Sequence, residues 1–225
     1  MKKVLLSIIA IFTFGFMSAQ KRLASQDYKP SKGTVTTEVG LTGGLNNANF
    51  NLSTLKFRYF LKENVGLRMG LGIQNETDEA INNANPSNTI TTTDKNSRFQ
   101  INLGVEKHFE GSDRLSTFVG GDLVISLANQ SNEVVQQNGN FNKSRGGGNA
   151  GSAFGVQLLT GADYYIAKKV YLGVEAGLSI LTGKGKDVIT ETRVGNVTTP
   201  STSTGGSTFD INTQVFGGVR IGYQF

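Results

Sequence analysis

Apolar and polar residues alternate without a break over the last seventeen positions of the 225-residue chain. Phe209, Ile211, Thr213, Val215, Gly217, Val219, Ile221, Tyr223 and Phe225 fall on one face. Asp210, Asn212, Gln214, Phe216, Gly218, Arg220, Gly222 and Gln224 fall on the other. A period of two is the signature of an extended strand with unlike faces. Seven earlier segments carry the same pattern. Their apolar positions are Val35 to Leu41, Leu55 to Leu61, Val65 to Ile73, Phe99 to Phe109, Leu115 to Leu127, Phe154 to Ile166 and Val170 to Ile180. Eight strands, an even number, predict an antiparallel up-and-down sheet.

The connections alternate in length. Lys62-Glu63-Asn64, Glu110 to Arg114 and Ala167 to Lys169 are short turns, whereas 75–96, 128–151 and 182–208 are long, polar loops rich in Asn, Thr, Ser and Gly. About 10 residues at about 3.3 Å each, tilted near 40°, span about 25 Å, the height of the apolar band of an outer-membrane barrel. On that layout the short turns face the periplasm, and Gly43 to Asn49 is the shortest outer loop. Aromatics mark both ends of the apolar face: Phe99, Phe154 and Phe209 at one, Tyr59, Phe109, Tyr164, Tyr223 and Phe225 at the other. Two belts match the girdles of membrane barrels.

The polar face carries Glu38, Lys56, Arg58, Arg68, Glu106, Asp122, Asp163, Glu175 and Arg220. Turned inward, these residues lie at similar depth and form an internal ion-pair network. Glu38 on the first strand meets Arg220 on the last only if the sheet closes; Arg220 also reaches Glu175, and Arg68 reaches Glu106. An unpaired charge in a narrow bore costs several kcal/mol, so pairing is obligatory. Glycines on the same face, among them Gly66, Gly104, Gly161 and Gly173, make room for the long side chains. Eight strands leave an interior that side chains can fill, which predicts a plugged bore.

Residues 1–19 read as a secretory leader, with Lys2 and Lys3, an apolar run from Val4 to Phe16, and Ser18-Ala19 before the cut. The run is shorter than the about 20 residues of a membrane-spanning helix. Residues 20–32 are then a polar, unstructured periplasmic tail and 33–225 the barrel. The chain has no Cys, which excludes disulfides, thiol chemistry and a lipoprotein anchor. Without the leader's two lysines the balance is 20 basic against 17 acidic residues, too mild for a nucleic-acid partner.

The leader, eight strands, loop asymmetry and terminal Phe225 together resemble the small bacterial outer-membrane β-barrels of the OmpA transmembrane domain, OmpX and OmpW type. The resemblance covers the mature chain and implies an all-β, eight-stranded antiparallel up-and-down transmembrane β-barrel. It implies contact with outer-membrane lipid and lipopolysaccharide, both termini in the periplasm, and a monomer without cofactor. Tyr223 and Phe225 would form the carboxy-terminal signal read by the barrel assembly machinery. The peptidoglycan-binding domain of OmpA proper has no counterpart before Phe225, so its tethering role is not carried over. The implied role is structural, surface-interacting or narrowly porin-like.

Candidate chemistry is sparse. His108, the one histidine, falls on the inward face beside a turn, and the sequence assembles no Ser-His-acid set around it; it reads as structural or solvent-exposed. Barrel enzymes that act on lipid A use a His-Ser pair near the outer leaflet, the opposite end. Gly183-Lys184-Gly185-Lys186 lacks the spacing and the helix of a phosphate loop. Arg145-Gly146-Gly147-Gly148 reads as flexible linker, and Asp78, Glu79 and Asp94 as solvated carboxylates. The expectation is a protein without enzymatic activity. Periodicity alone leaves a second arrangement open: a secreted lipocalin-like barrel, with the apolar face inward around a lipophilic ligand.

Overall fold

The computed structural model describes residues 28–40, 54–83, 89–147 and 150–225. The leader, the tail up to residue 27, Leu41 and the connection Gly43 to Asn49 lie outside the described residues. Strands form where the alternation predicts them: β1 (Val35–Gly40), β2 (Thr54–Lys62), β3 (Val65–Asn82), β4 (Ile90–Glu110) and β5 (Leu115–Gln136). β6 (Phe141–Arg145), β7 (Gly151–Ala167), β8 (Val170–Gly185), β9 (Val188–Val194), β10 (Val197–Ser203) and β11 (Ser207–Gln224) follow.

Eight strands close a ring in the order β1, β2, β3, β4, β5, β7, β8, β11, every neighbour antiparallel. Closure rests on β1 against β11, with Glu38 opposite Gly222 and Gly40 opposite Arg220. The register of β11 on β8 shifts once, between Phe216, opposite Glu175, and Arg220, opposite Gly173. Glycine within a strand commonly marks such a bulge, and Gly217-Gly218 lie inside this one. The bulge sets three residues of β11 against Val174 alone. The surplus is even, so the alternation beyond it is undisturbed.

Closure decides which face is inside. Glu38, Arg58, Glu106 and Asp163 are at most 1 % exposed, while Leu123 is 64 % and Phe154 65 % exposed. The bore is charged and the outer wall is apolar, the reverse of a lipocalin. The lipocalin-like arrangement is therefore not this fold. The aromatics of both belts, Phe99, Phe154 and Phe209 at one end and Tyr59, Phe109, Tyr164, Tyr223 and Phe225 at the other, stand exposed on that wall.

Two expectations are corrected. The segments 75–96, 128–151 and 182–208 are largely strand. β3 and β4 stay paired from the barrel out to Asn82 opposite Ile90, and β5 follows β4 to Gln136. β6, β9 and β10 add to β5 in turn. With water on both faces no apolar alternation is needed, and β-branched runs such as Ile90-Thr91-Thr92-Thr93 favour the extended chain. The described end of the tail is also ordered. The Gly33 N–H donates to the Phe60 carbonyl at 2.8 Å, and the Gln224 side chain donates to the Tyr28 carbonyl at 2.9 Å. Arg114 donates to the Tyr28 hydroxyl at 2.8 Å, its guanidinium carbon 4.4 Å from the ring centre.

Candidate functional site

The inward positions of β1, β2, β3, β4, β5, β7, β8 and β11 bring all nine charged residues of the polar face into one cluster. Arg58 stands at its centre. Its Nη2 lies 2.5 Å from Glu38 Oε1, its Nε 3.0 Å from Glu106 Oε1, and its Nη1 2.5 Å from Asp163 Oδ2. A guanidinium can serve three carboxylates at once because its donors point in fixed, diverging directions; an ammonium on the same stem could not. Arg68 binds Glu106 at 3.2 Å, Asp122 at 3.0 Å and Glu175 at 3.0 Å. Arg220 binds Glu38 at 2.5 Å, Glu175 at 3.1 Å and Asp163 at 3.3 Å. Lys56 binds Glu175 at 2.7 Å.

Most partners come from distant strands, because the tilt of a barrel staggers register around the ring. Glu38 is opposite Lys56 in the ladder, yet Lys56 reaches across the bore to Glu175. Four cations and five carboxylates thus offset one another's charge where water is scarce. Glycine opposite a charge is part of the arrangement. A Cβ on Gly173 would lie 2.6 Å from Asp163 Oδ1 and 2.8 Å from Arg220 Nη2.

Below the charges, toward the short turns, the bore holds Phe60, Phe118, Tyr165 and Tyr171, each at most 1 % exposed. The Tyr165 and Tyr171 rings are 5.3 Å apart, and the Tyr171 hydroxyl donates to Glu38 Oε1 at 3.0 Å. Arg58 and Arg220 lie 5.1 and 5.6 Å from the Phe118 ring centre, within cation–π range. This floor was missed in the sequence, although the signal was there. Phe60 is two residues from Arg58 and Tyr165 two from Asp163, so they share the charged face.

His108 is buried in that floor. Its ring lies 5.2 Å from Phe60 and 5.3 Å from Phe118. Nδ1 is 2.8 Å from Ser116 Oγ and Nε2 is 2.9 Å from Glu106 Oε1. A Ser-His-acid line is thus assembled after all, by the β4–β5 hairpin register that sets His108 opposite Phe118, one inward step from Ser116. Its acid is engaged elsewhere: Glu106 also carries Arg58 and Arg68. The geometry fits a bracket that ties the charged layer to the hairpin. Ser116 and His108 border a cavity of about 590 Å³ whose other walls include Tyr28, Ser31, Asn64 and Ser112.

A sequence model of the OmpA-OmpF-like porin family matches residues 44–179, more than half of the chain. The chain belongs to this family. No curated protein matches it. The porin-family match takes in Lys56, Arg58, Arg68, Glu106, His108, Asp122, Asp163 and Glu175. Glu38 and Arg220, the pair that closes the ring, flank the matched span. Membership and the all-β ring together support an outer-membrane, porin-like protein and favour a non-enzymatic role.

The remaining candidates settle on the strands that run on past the ring, at the end away from the short turns. Asp78 and Asp94 are opposite each other across β3 and β4, and the alternation sends Glu79 to the other face; Asp94 accepts from the Asn132 amide at 2.7 Å. Lys184 and Gly185 end β8, a strand with no helix after it. The expected linker at Arg145 is instead built: Arg145 belongs to β6, and Gly146 and Gly147, with φ of 83° and 69°, turn the chain toward β7. Gly148 lies outside the described residues.

Proposed function

We infer that the protein is an integral outer-membrane barrel whose bore is sealed at rest, and that it acts through its wall and its outer β-extension. Bulk solute diffusion is not its role. The observation that carries this reading is the placement of Arg58, with a side chain fully buried at the centre of the bore and ion-paired with carboxylates from β1, β4 and β7. A solute passing that level would have to strip a guanidinium of three partners. In a low-dielectric enclosure that costs several kcal/mol.

On this reading the short turns and both termini face the periplasm, and the extension of β3, β4, β5, β6, β9 and β10 faces outward. The apolar wall meets lipid, the single chain is sufficient, and Tyr223 and Phe225 present the end recognised during assembly. The Phe225 N–H donates to the Val35 carbonyl at 2.9 Å, which fastens that end to the first strand. Planar-bilayer recording of the refolded protein tests the reading. Quiet bilayers, or rare openings of small conductance, are expected. Stable conductance of general-porin size would overturn it.

A further inference from the structure

The apolar wall stops along a definite line on β3, β4 and β5. Ile73, Phe99 and Leu127 are opposite one another in the ladders, and all three are exposed. The next outward-facing row is Asn75, Ser97 and Asn129, and the one above it is Thr77, Lys95, Ser131, Arg145 and Ile189 across five strands. The register from β3 through β5 carries no shift, so these rows face the same way as the apolar wall. The connection between β8 and β9 adds Lys186 to this face, where its ammonium donates to Asn129 Oδ1.

Lys95, Arg145 and Lys186 border one cleft of about 540 Å³ with Asn75, Ser97 and Asn129. Among the described residues, no carboxylate lies within ion-pair distance of these three cations. Glu76 and Asp187 also line the cleft, two acids against three bases, and Asp187 accepts from the Gly205 N–H at 3.0 Å. One row farther out the charges compensate: Lys143 binds Glu133 at 2.7 Å.

We propose that this cleft binds the phosphate of an anionic lipid in the outer leaflet. The inference rests on the outer-membrane reading above, since it is the lipid that brings the phosphate to this height. Long basic side chains just beyond an apolar band lie at headgroup level with their stems on the hydrocarbon side. Arginine grips a phosphate with two parallel N–H donors, lysines add point charge, and the Asn and Ser side chains supply neutral donors. The acyl chains of the same lipid would run down over Phe99, Ile73 and Leu127.

The test uses the full chain refolded into vesicles of zwitterionic phosphatidylcholine doped with a phosphate-monoester lipid, phosphatidic acid. Lipid co-purifying after extraction is counted by native mass spectrometry. One retained phosphatidic acid is expected, preferred over the zwitterionic lipid by about tenfold or more. The K95Q/R145Q/K186Q variant should lose that preference, while K143Q keeps it. Heat-modifiable migration confirms that each variant is folded. Equal retention by wild type and triple variant overturns the proposal. So does displacement of the lipid by inorganic phosphate at equal concentration, which would make this a free-anion site. Failure of the wild type to insert into any vesicle is a different outcome, and it sinks the outer-membrane reading itself.

Discussion

Arg220 Nη1 on β11 lies 2.5 Å from Glu38 Oε2 on β1, a bond between the last and first strands of the ring. It exists only in the closed barrel, and it is hidden from solvent. Replacing Arg220 by Met leaves Glu38 with Arg58 and the Tyr171 hydroxyl, its Oε2 without the guanidinium, and weakens the hold on Asp163 and Glu175. The expected loss is about 3 kcal/mol of stability, typical of a buried pair deprived of one partner. Urea titration of the protein refolded in lipid vesicles measures it. The double variant E38M/R220M should recover part of the loss, since both buried charges are then gone. A single variant as stable as wild type would show that the pair is dispensable.

Gly173 faces a second constraint. Ala at this position places a methyl group against Asp163 and Arg220, in a layer where neither can withdraw without losing partners. Gly173→Ala should therefore slow or block closure, seen as loss of the fast-migrating folded form on an unheated gel. Ala at Gly139, where nothing lies within 4 Å, meets no such crowding but does meet a positive φ of 86°, so only a small effect is expected there.

The line from Ser116 through His108 to Glu106 is expected to act in stability alone. His108→Ala should cost about 1–3 kcal/mol, because it strands the Ser116 hydroxyl in a buried layer and leaves Glu106 Oε1 with Arg58 alone. A fluorophosphonate probe should leave wild-type Ser116 unlabelled. Covalent labelling of Ser116, abolished by His108→Ala, would mark the line as a working nucleophile and base instead.

The outer wall offers the most direct test of lipid contact. Leu123, 64 % exposed, is near the middle of the apolar face of β5. Leu123→Arg should destabilise the barrel in vesicles by about 2–4 kcal/mol, the cost of a guanidinium at bilayer mid-depth. Thr93→Arg, on the same side of the sheet but out on the extension, should be nearly neutral. Equal effects at the two positions would argue that no hydrocarbon surrounds the wall.

Removing Phe225 takes away the N–H bonded to Val35 and the ring that meets Tyr223 edge-on at 5.0 Å. If Tyr223 and Phe225 are the end recognised during assembly, as proposed, the expected result is poor insertion in cells with refolding into vesicles largely intact. Cell fractionation beside in-vitro refolding separates the two. Unchanged localisation of the truncated protein would show that Phe225 is no signal.

The sequence by itself determined the strands and their two faces. Alternation is a local property: each of Val65 to Gln74 points up or down according to its own parity, whatever the neighbours do. That parity put nine charged residues on one face, and it also held Phe60, Phe118, Tyr165 and Tyr171, whose shared phase with the charges marks them as interior. Only the tertiary structure decided which face turned inward, how the charges pair and how far the strands run. Ion-pair partners depend on the stagger between strands, which no single strand encodes; hence Lys56 binds Glu175 and passes over Glu38, its neighbour in the ladder. The Ser116–His108–Glu106 line needed the hairpin register of β4 and β5 for the same reason. The outer extension was illegible because a ribbon wetted on both faces carries no apolar period; its strands are set by continuation of pairings that begin in the barrel below.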